Sequence, residues 1–254
     1  MNTKLFDNKT AIITGAGSGM GKAMALLFAA EGAKVIVSDI KADRVDAVVK
    51  EIEAKGGKAI GIVTNVSKED DVKKMVEIAI NSFGSLDVLV NNAGVMDDFA
   101  AVADVSNELW NKVMGVNLNG PFYSCRLAIP QMLKQGKGVI VNVSSIGGLE
   151  GARAGAAYTA SKHGLIGLTK NIGFMYGKEG IRCNAIAPGG VNTNIMEGVT
   201  PNKAGYDRII GGMATNLKMA EPVEIANLAL FLASDNASNV NGTVVVADGG
   251  WTAY

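Results

Sequence analysis

Tyr158 and Lys162 stand four residues apart, a spacing that puts two side chains on one face of a helix. Tyrosine ionises near pH ~10, too high for a base at neutrality. An ammonium one turn away favours the phenolate and lowers that value, so the pair reads as a tuned general acid/base. The same spacing also occurs on ordinary exposed helices; what singles out this pair is its company. Ser144-Ser145 follows the apolar run Val139–Val143. A hydroxyl there can donate to a substrate carbonyl oxygen, while one of the two serines serves the turn. Near the start of the chain, Ala11–Thr14 runs into glycines at 15, 17, 19 and 21, then into helix-forming residues from Lys22. A strand turning through glycines into a helix gathers unpaired N–H groups and the positive end of a helix dipole, which makes a phosphate seat.

Asp39 ends the next apolar run, Val35–Val37. A carboxylate at that point can accept both ribose hydroxyls of an adenosine and repel a 2′-phosphate, which favours NAD over NADP. It also suits the N-cap of the following helix, and the two roles are compatible.

These residues need a frame, and apolar periodicity supplies one. Strands are expected at Thr10–Thr14, Lys34–Ser38, Lys58–Val63, Leu86–Val90, Val139–Val143, Arg182–Ala187 and Thr243–Val246. Helices are expected after the glycine turn to Glu31, over 41–55, after a capping box of Ser67 with Asp70, over Ser106–Asn117, from Pro121 with a bend at Pro130, over Tyr158–Lys178 and from Pro222. Residues 190–220 have weak periodicity and read as a mobile substrate cover. Strand and helix alternate throughout, which predicts an α/β fold: one doubly wound, Rossmann-type domain over 1–254, with a seven-stranded parallel sheet flanked by helices on both faces.

Composition excludes other classes. The chain is 48% hydrophobic and 19% charged, with 24 basic and 24 acidic side chains. No basic run offers a footprint for nucleic acid or anionic lipid. No uncharged apolar stretch reaches the ~18 residues of a membrane span. Met1–Asp7 lacks an apolar export core, so a cytoplasmic enzyme is expected, with Cys125 and Cys183 as reduced core thiols. One histidine, His163, and two distant cysteines build no metal site. Asp97-Asp98 are expected as solvated loop acids, with a substrate contact the alternative, and Glu150 in the loop before Tyr158 as solvated or facing the pocket. Met96, Met196, Met213 and Met219 suit an adaptable pocket or ordinary core filling.

Taken together, the chain resembles the short-chain dehydrogenase/reductase family over essentially its whole length. Thr14, Gly15, Gly19 and Gly21 match the family's glycine motif, and Asn91 to Gly94 its Asn-Asn-Ala-Gly motif. Asn117 in Val-Asn-Leu-Asn-Gly, Ser145 thirteen positions before Tyr158, and Tyr158-x-x-x-Lys162 match its catalytic residues. Pro188, Gly189, Val191 and Thr193 match the Pro-Gly stretch. The resemblance implies that Tyr158 exchanges a proton with the carbonyl or alcohol and that Ser145 polarises the substrate oxygen. Lys162 would hold the nicotinamide ribose and tune Tyr158, and Asn117 would hold a water linked to Lys162. Cofactor contacts are implied for Gly15, Ser18, Gly19, Met20, Gly21, Asp39, Ile40, Asn65, Val66, Asn91, Ala93, Gly94, Tyr158, Lys162, Pro188, Gly189, Val191 and Thr193, with Ile186 near the nicotinamide. Asn65 departs from the Asp commoner there, a small change that keeps an acceptor.

The resemblance implies an NAD(H)-dependent oxidoreductase that interconverts a small secondary alcohol and a ketone. Family members preferring NADP often carry a basic residue where this chain has Ser18 or Ile40; Lys41 is the cation close by. A 3-oxoacyl-thioester reductase, a sugar dehydrogenase and a non-catalytic dinucleotide sensor are the alternatives. A homotetramer is also expected, with Leu165, Leu168 and Ile172 packed against a partner and Trp251–Tyr254 near an interface.

Overall fold

A computed structural model describes residues 4–253; Met1–Thr3 of the N-terminal segment and Tyr254 of the tail lie outside the described residues. Seven parallel strands form one sheet: β1 (Thr10–Thr14), β2 (Lys34–Asp39), β3 (Lys58–Val63), β4 (Val88–Asn91), β5 (Gly138–Val143), β6 (Ile181–Pro188) and β7 (Val244–Ala247). Their order is β3-β2-β1-β4-β5-β6-β7, so the direction of winding reverses between β1 and β4. Ligands of open α/β sheets bind at the carboxyl ends of strands at such a reversal.

The described residues form eight α-helices, most of them packed on the sheet: α1 (Gly19–Ala30), α2 (Ala42–Ala54), α3 (Glu69–Phe83), α4 (Asn107–Met114), α5 (Gly120–Gln135), α6 (Ala156–Met175), α7 (Lys203–Met213) and α8 (Pro222–Ala233). Alternate strand residues face opposite layers. Ile13, Val35, Val90 and Val141 pack with α1, α2 and α8. Ile12, Ile36, Leu89 and Ile140 pack with α3, α5 and Ile172 of α6. Covering on both faces explains the apolar runs Ala11–Ile13 of β1 and Val139–Val141 of β5, and every residue of both strands is buried. No helix among the described residues is long and apolar enough to cross a membrane.

Five expectations change. Ser67 and Asp70 form no capping box: α3 starts at Glu69 after Lys68, and the Ser67 hydroxyl donates to Asn65 Oδ1 at 2.7 Å. Asp39 is not the N-cap of α2, a place held by Lys41. The two helices expected around 106–135 are joined by a single π-helical turn, Gly115–Asn119, and Pro130 lies within α5 without ending it. Residues 190–220 contain α7, capped by the Asn202 side chain accepting Gly205 N–H at 3.0 Å. Leu165 and Ile172 lie in the chain's own core rather than on a surface awaiting a partner. The exposed apolar residues at the end of α6 are Phe174 and Met175.

Candidate active site

The glycine turn lies at the β1/β4 reversal. Gly15 and Gly19 have φ of 64° and 52°, values other residues reach only with strain. Ser18 occupies the N-cap of α1 without a side-chain cap bond, and the first turn holds no acid. Its amides therefore face outward, ready for an anion. Gly21 packs against the Gly15 carbonyl and is structural.

Asp39 Oδ2 accepts Gly17 N–H at 2.9 Å and Oδ1 accepts Lys41 N–H at 3.0 Å. Each oxygen keeps a free lone pair for a ribose hydroxyl. Thr14 Oγ1 accepts the N–H groups of Asn92 and Ala93 at 3.0 and 3.1 Å, which locks the end of β1 to the end of β4. A cleft of about 360 Å³ opens over this junction. Gly15, Ser18, Gly19 and Met20 line it from the turn, and Asp39 and Ile40 from the end of β2. Asn65, Val66, Ala93, Gly94 and Thr193 complete the expected wall.

Other residues expected at the cofactor do not line this cleft. Asn91 is buried beneath the cleft: its Nδ2 donates to Asn142 Oδ1 at 2.9 Å, and its Oδ1 accepts Ser124 Oγ at 2.6 Å. Ile186 points into the core. Pro188 ends β6, Gly189 packs on Asp248, and Val191 bridges to Ala220. A polar residue that satisfies its neighbours beneath a site gives the same sequence signal as one that reaches into it.

The proton-transfer residues converge at the ends of β4 and β5. Ser144 donates to the Lys162 carbonyl at 3.1 Å and serves the turn. Ser145 accepts Gly147 N–H at 3.0 Å. A Cβ placed on Gly147 would lie 3.4 Å from both Ser145 Oγ and the Tyr158 ring, so these two side chains flank one small gap. A Cβ on Gly94 would lie 3.5 Å from Asn117 Oδ1 and 3.6 Å from Lys162 Nζ. Lys162 Nζ donates to the Val143 carbonyl at 2.9 Å and lies 5.5 Å from the centre of the Tyr158 ring.

Burial dominates the electrostatics of both groups. Burial pushes the Tyr158 phenol up to about 12; the Ser145 hydroxyl favours the phenolate, and the Asp97 charge opposes it. Lys162 stands beside the ring, its Nζ 5.5 Å from the ring centre. Its own ammonium is pushed down to about 8 by burial. Asn117 sits in the π-helical turn, a device common at functional sites. Its side chain is committed to Val95 N–H and C=O at 2.8 and 2.9 Å and to Ser161 at 3.2 Å. These bonds position α6 against Val95, and Oδ1, with one bond made, keeps a lone pair on the side where Lys162 Nζ also lies.

The lowered Lys162 value has a measurable consequence. The unfolded chain holds this proton up to the ordinary 10.5, while the folded chain releases it near 8. Stability therefore rises with pH between those values, and the full cost of the buried ammonium is present below about 8. Lys162→Met is expected to raise stability at neutral pH by about 2 kcal/mol, net of the donor lost by the Val143 carbonyl. The gain should shrink as pH passes from 8 to 10.5. Denaturant unfolding of both proteins at the two ends of that range checks it.

Asp97 is the largest departure. It is buried, and its carboxylate accepts N–H groups of Phe99, Gly155 and Tyr158 at 3.1, 3.0 and 2.8 Å. Asp98 and Glu150 lie outside this network; Glu150 is exposed. Arg44, Asn194 and Glu197 also line the cleft, with no local motif to announce them. His163 is exposed on α6 with Nδ1 2.9 Å from the Thr159 carbonyl, a bystander. Cys125 and Cys183 are buried free thiols. Met96 lines the cleft, whereas Met196 and Met219 are exposed. Trp251 is buried and donates to the Gly212 carbonyl at 3.0 Å, with Arg153 stacked 4.8 Å from its ring, so the tail pins α7 within this chain.

Comparisons with known proteins agree with this geometry. Residues 15–252 match a family model described as enoyl-(acyl carrier protein) reductase. The chain is 42% identical to 3β-hydroxysteroid dehydrogenase 2 of Eggerthella lenta, covering 97% of this chain and 95% of that one. It is 41% identical to cyclohexanol dehydrogenase of an Acinetobacter species, covering 98% and 96%. A solved structure from Beutenbergia cavernae, described as an NAD(P)-dependent gluconate 5-dehydrogenase with NADP bound at low occupancy, superposes with a TM-score of 0.88 at 35% identity, covering all of both chains. Full-length likeness of this degree, on a fold whose strand ends carry the matching residues, establishes that the chain is an oxidoreductase belonging to the short-chain dehydrogenase/reductase family.

Proposed function

We propose that the protein is an NAD(H)-dependent oxidoreductase interconverting a secondary alcohol and a ketone, with Tyr158 as general acid/base. The observation that carries this reading is the convergence of Ser145, Tyr158 and Lys162 beside Gly94 and Gly147, next to the glycine-turn cleft. The cleft residues fit a dinucleotide: uncapped amides of α1 for the pyrophosphate and Asp39 for the adenosine ribose. When bound, the nicotinamide supplies the carbon that accepts or gives hydride. In reduction Tyr158 gives its proton to the carbonyl oxygen, which Ser145 orients; in oxidation the phenolate takes the proton from the alcohol. The covering segment 190–220 would close over the substrate.

The named relatives favour an alcohol carried on a ring, as in a hydroxysteroid or cyclohexanol. A homotetramer belongs to the same proposal, and exposed Phe174 and Met175 are apolar surface that an assembly would cover. The test is a screen of cyclic alcohols, sugars and acyl thioesters, followed by the absorbance of the reduced nicotinamide. Ring alcohols should turn over with NAD⁺ roughly tenfold more efficiently than with NADP⁺, the effect of one misplaced charge. Equal efficiency with NADP⁺ would overturn the cofactor choice. Turnover of acyl thioesters alone would overturn the substrate class. Nucleotide binding without turnover of any substrate would identify a sensor.

A further inference from the structure

Asp39 is not alone at the ribose end of the cleft. Arg44, on the first turn of α2, donates from Nη1 to Ser18 Oγ at 3.4 Å. A Cβ placed on Gly17 would lie 2.7 Å from Arg44 Cβ and 2.8 Å from Asp39 Oδ2, so cation and carboxylate adjoin the same turn. Lys41 lines the same cleft. Arg44 beside Ser18 and Lys41 in the same cleft would by themselves welcome a 2′-phosphate, which carries close to two negative charges at neutrality. Asp39 is one carboxylate and does not cancel them.

A second carboxylate does. Glu197, on the segment that covers the cleft, accepts from Arg44 Nη2 at 3.2 Å and from Asn194 Nδ2 at 3.3 Å through the same oxygen, Oε2. Its carboxyl is held below the ordinary value by those hydrogen bonds and by the charges of Lys41 and Arg44. The Arg44–Glu197 pair is partly exposed, and exposed pairs of this kind contribute little to stability. What the pair changes is the charge presented to a ligand. Asp39 and Glu197 balance Lys41 and Arg44, whereas without Glu197 the same place is net positive.

We infer that Glu197 is a cofactor-specificity residue, which keeps the Arg44 guanidinium from binding the 2′-phosphate of NADP. This rests on the reading of the cleft as an NAD site, and it assigns to the cover a part of the selectivity first read in Asp39 alone. It also makes the selectivity conditional, because it holds only while the cover reaches α2.

Calorimetric titration with 5′-AMP and with 2′,5′-ADP separates this from the parent reading. In the wild-type protein 5′-AMP should bind the more tightly. Glu197→Gln keeps the side chain's size and removes its charge. It should tighten 2′,5′-ADP by roughly fivefold or more while changing 5′-AMP less than about twofold. The gain should shrink in high salt and vanish in the double variant with Arg44→Gln. Unchanged 2′,5′-ADP binding in Glu197→Gln, or an equal gain for both nucleotides, would overturn the role of Glu197 and leave the dinucleotide site standing. Failure of the wild-type protein to bind either nucleotide would overturn the site itself. A thermal melt of each variant establishes that the titrated protein is folded.

Discussion

Tyr158→Phe is expected to lower turnover by roughly 10²–10⁴-fold, the usual worth of a general acid/base, with the fold and nucleotide affinity retained. The ring is buried among Val113, Ala154 and Ala157, and phenylalanine fills that space equally well. Only the hydroxyl, held beside Ser145, is removed. The variant therefore separates chemistry from packing. Turnover should fall in both directions, the Michaelis constant for NAD⁺ should change little, and the unfolding midpoint should hold or rise. Full turnover in the variant would remove Tyr158 from the mechanism.

The wild-type pH dependence follows from the same group. Burial favours the protonated phenol, up to about 12. Reduction, which begins from the phenol, should hold its rate across the neutral range. Oxidation, which needs the phenolate, should climb as pH rises. Initial rates measured in both directions over one pH series test the asymmetry.

The fold was legible because its signals are local. Buried parallel strands read as short apolar runs, and glycines mark where they end. The residues around Tyr158, Lys162, Ser145 and Asp39 were legible for a related reason: each sits beside a strand end or on one helix turn. What escaped is non-local. The π-helical turn at Gly115–Asn119 inserts a register change into an apolar pattern that reads as helix on either side. Arg44 and Glu197 are 153 residues apart, and no spacing rule links them. α7 buries none of its residues, so it lacks the stripe that reveals a helix. Lys162 adjoins the Tyr158 ring as its spacing predicts, but the burial that raises the phenol and lowers the ammonium is set by the fold, not by spacing.

Asp97 shows the limit most clearly, and its removal should be costly. Two adjacent acids after Gly94 read alike in sequence. In the folded chain Asp97 caps α6 from a loop 61 residues upstream of Tyr158. α6 cannot cap itself, because Gly155 holds the N-cap. A side chain there would begin 2.7 Å from Asp97 Oδ2 and 2.8 Å from Phe99 Cα. Asp97→Ala would leave three N–H groups without their acceptor, one of them that of Tyr158 itself. At about 1–3 kcal/mol for each buried unpaired donor, less what water and relaxation recover, the loss should be about 4 kcal/mol. Asp97→Asn keeps one acceptor oxygen and turns an amide toward the remaining donor, so about 2 kcal/mol is expected. Denaturant unfolding measures both. A cap with only a structural role would stop there. Because the Asp97 charge also holds the Tyr158 proton in place, Asp97→Asn should shift the rising limb of the oxidation profile toward lower pH. A stability loss with an unmoved profile would reduce Asp97 to a cap; a moved profile makes it a positioning residue that also sets the proton affinity of Tyr158.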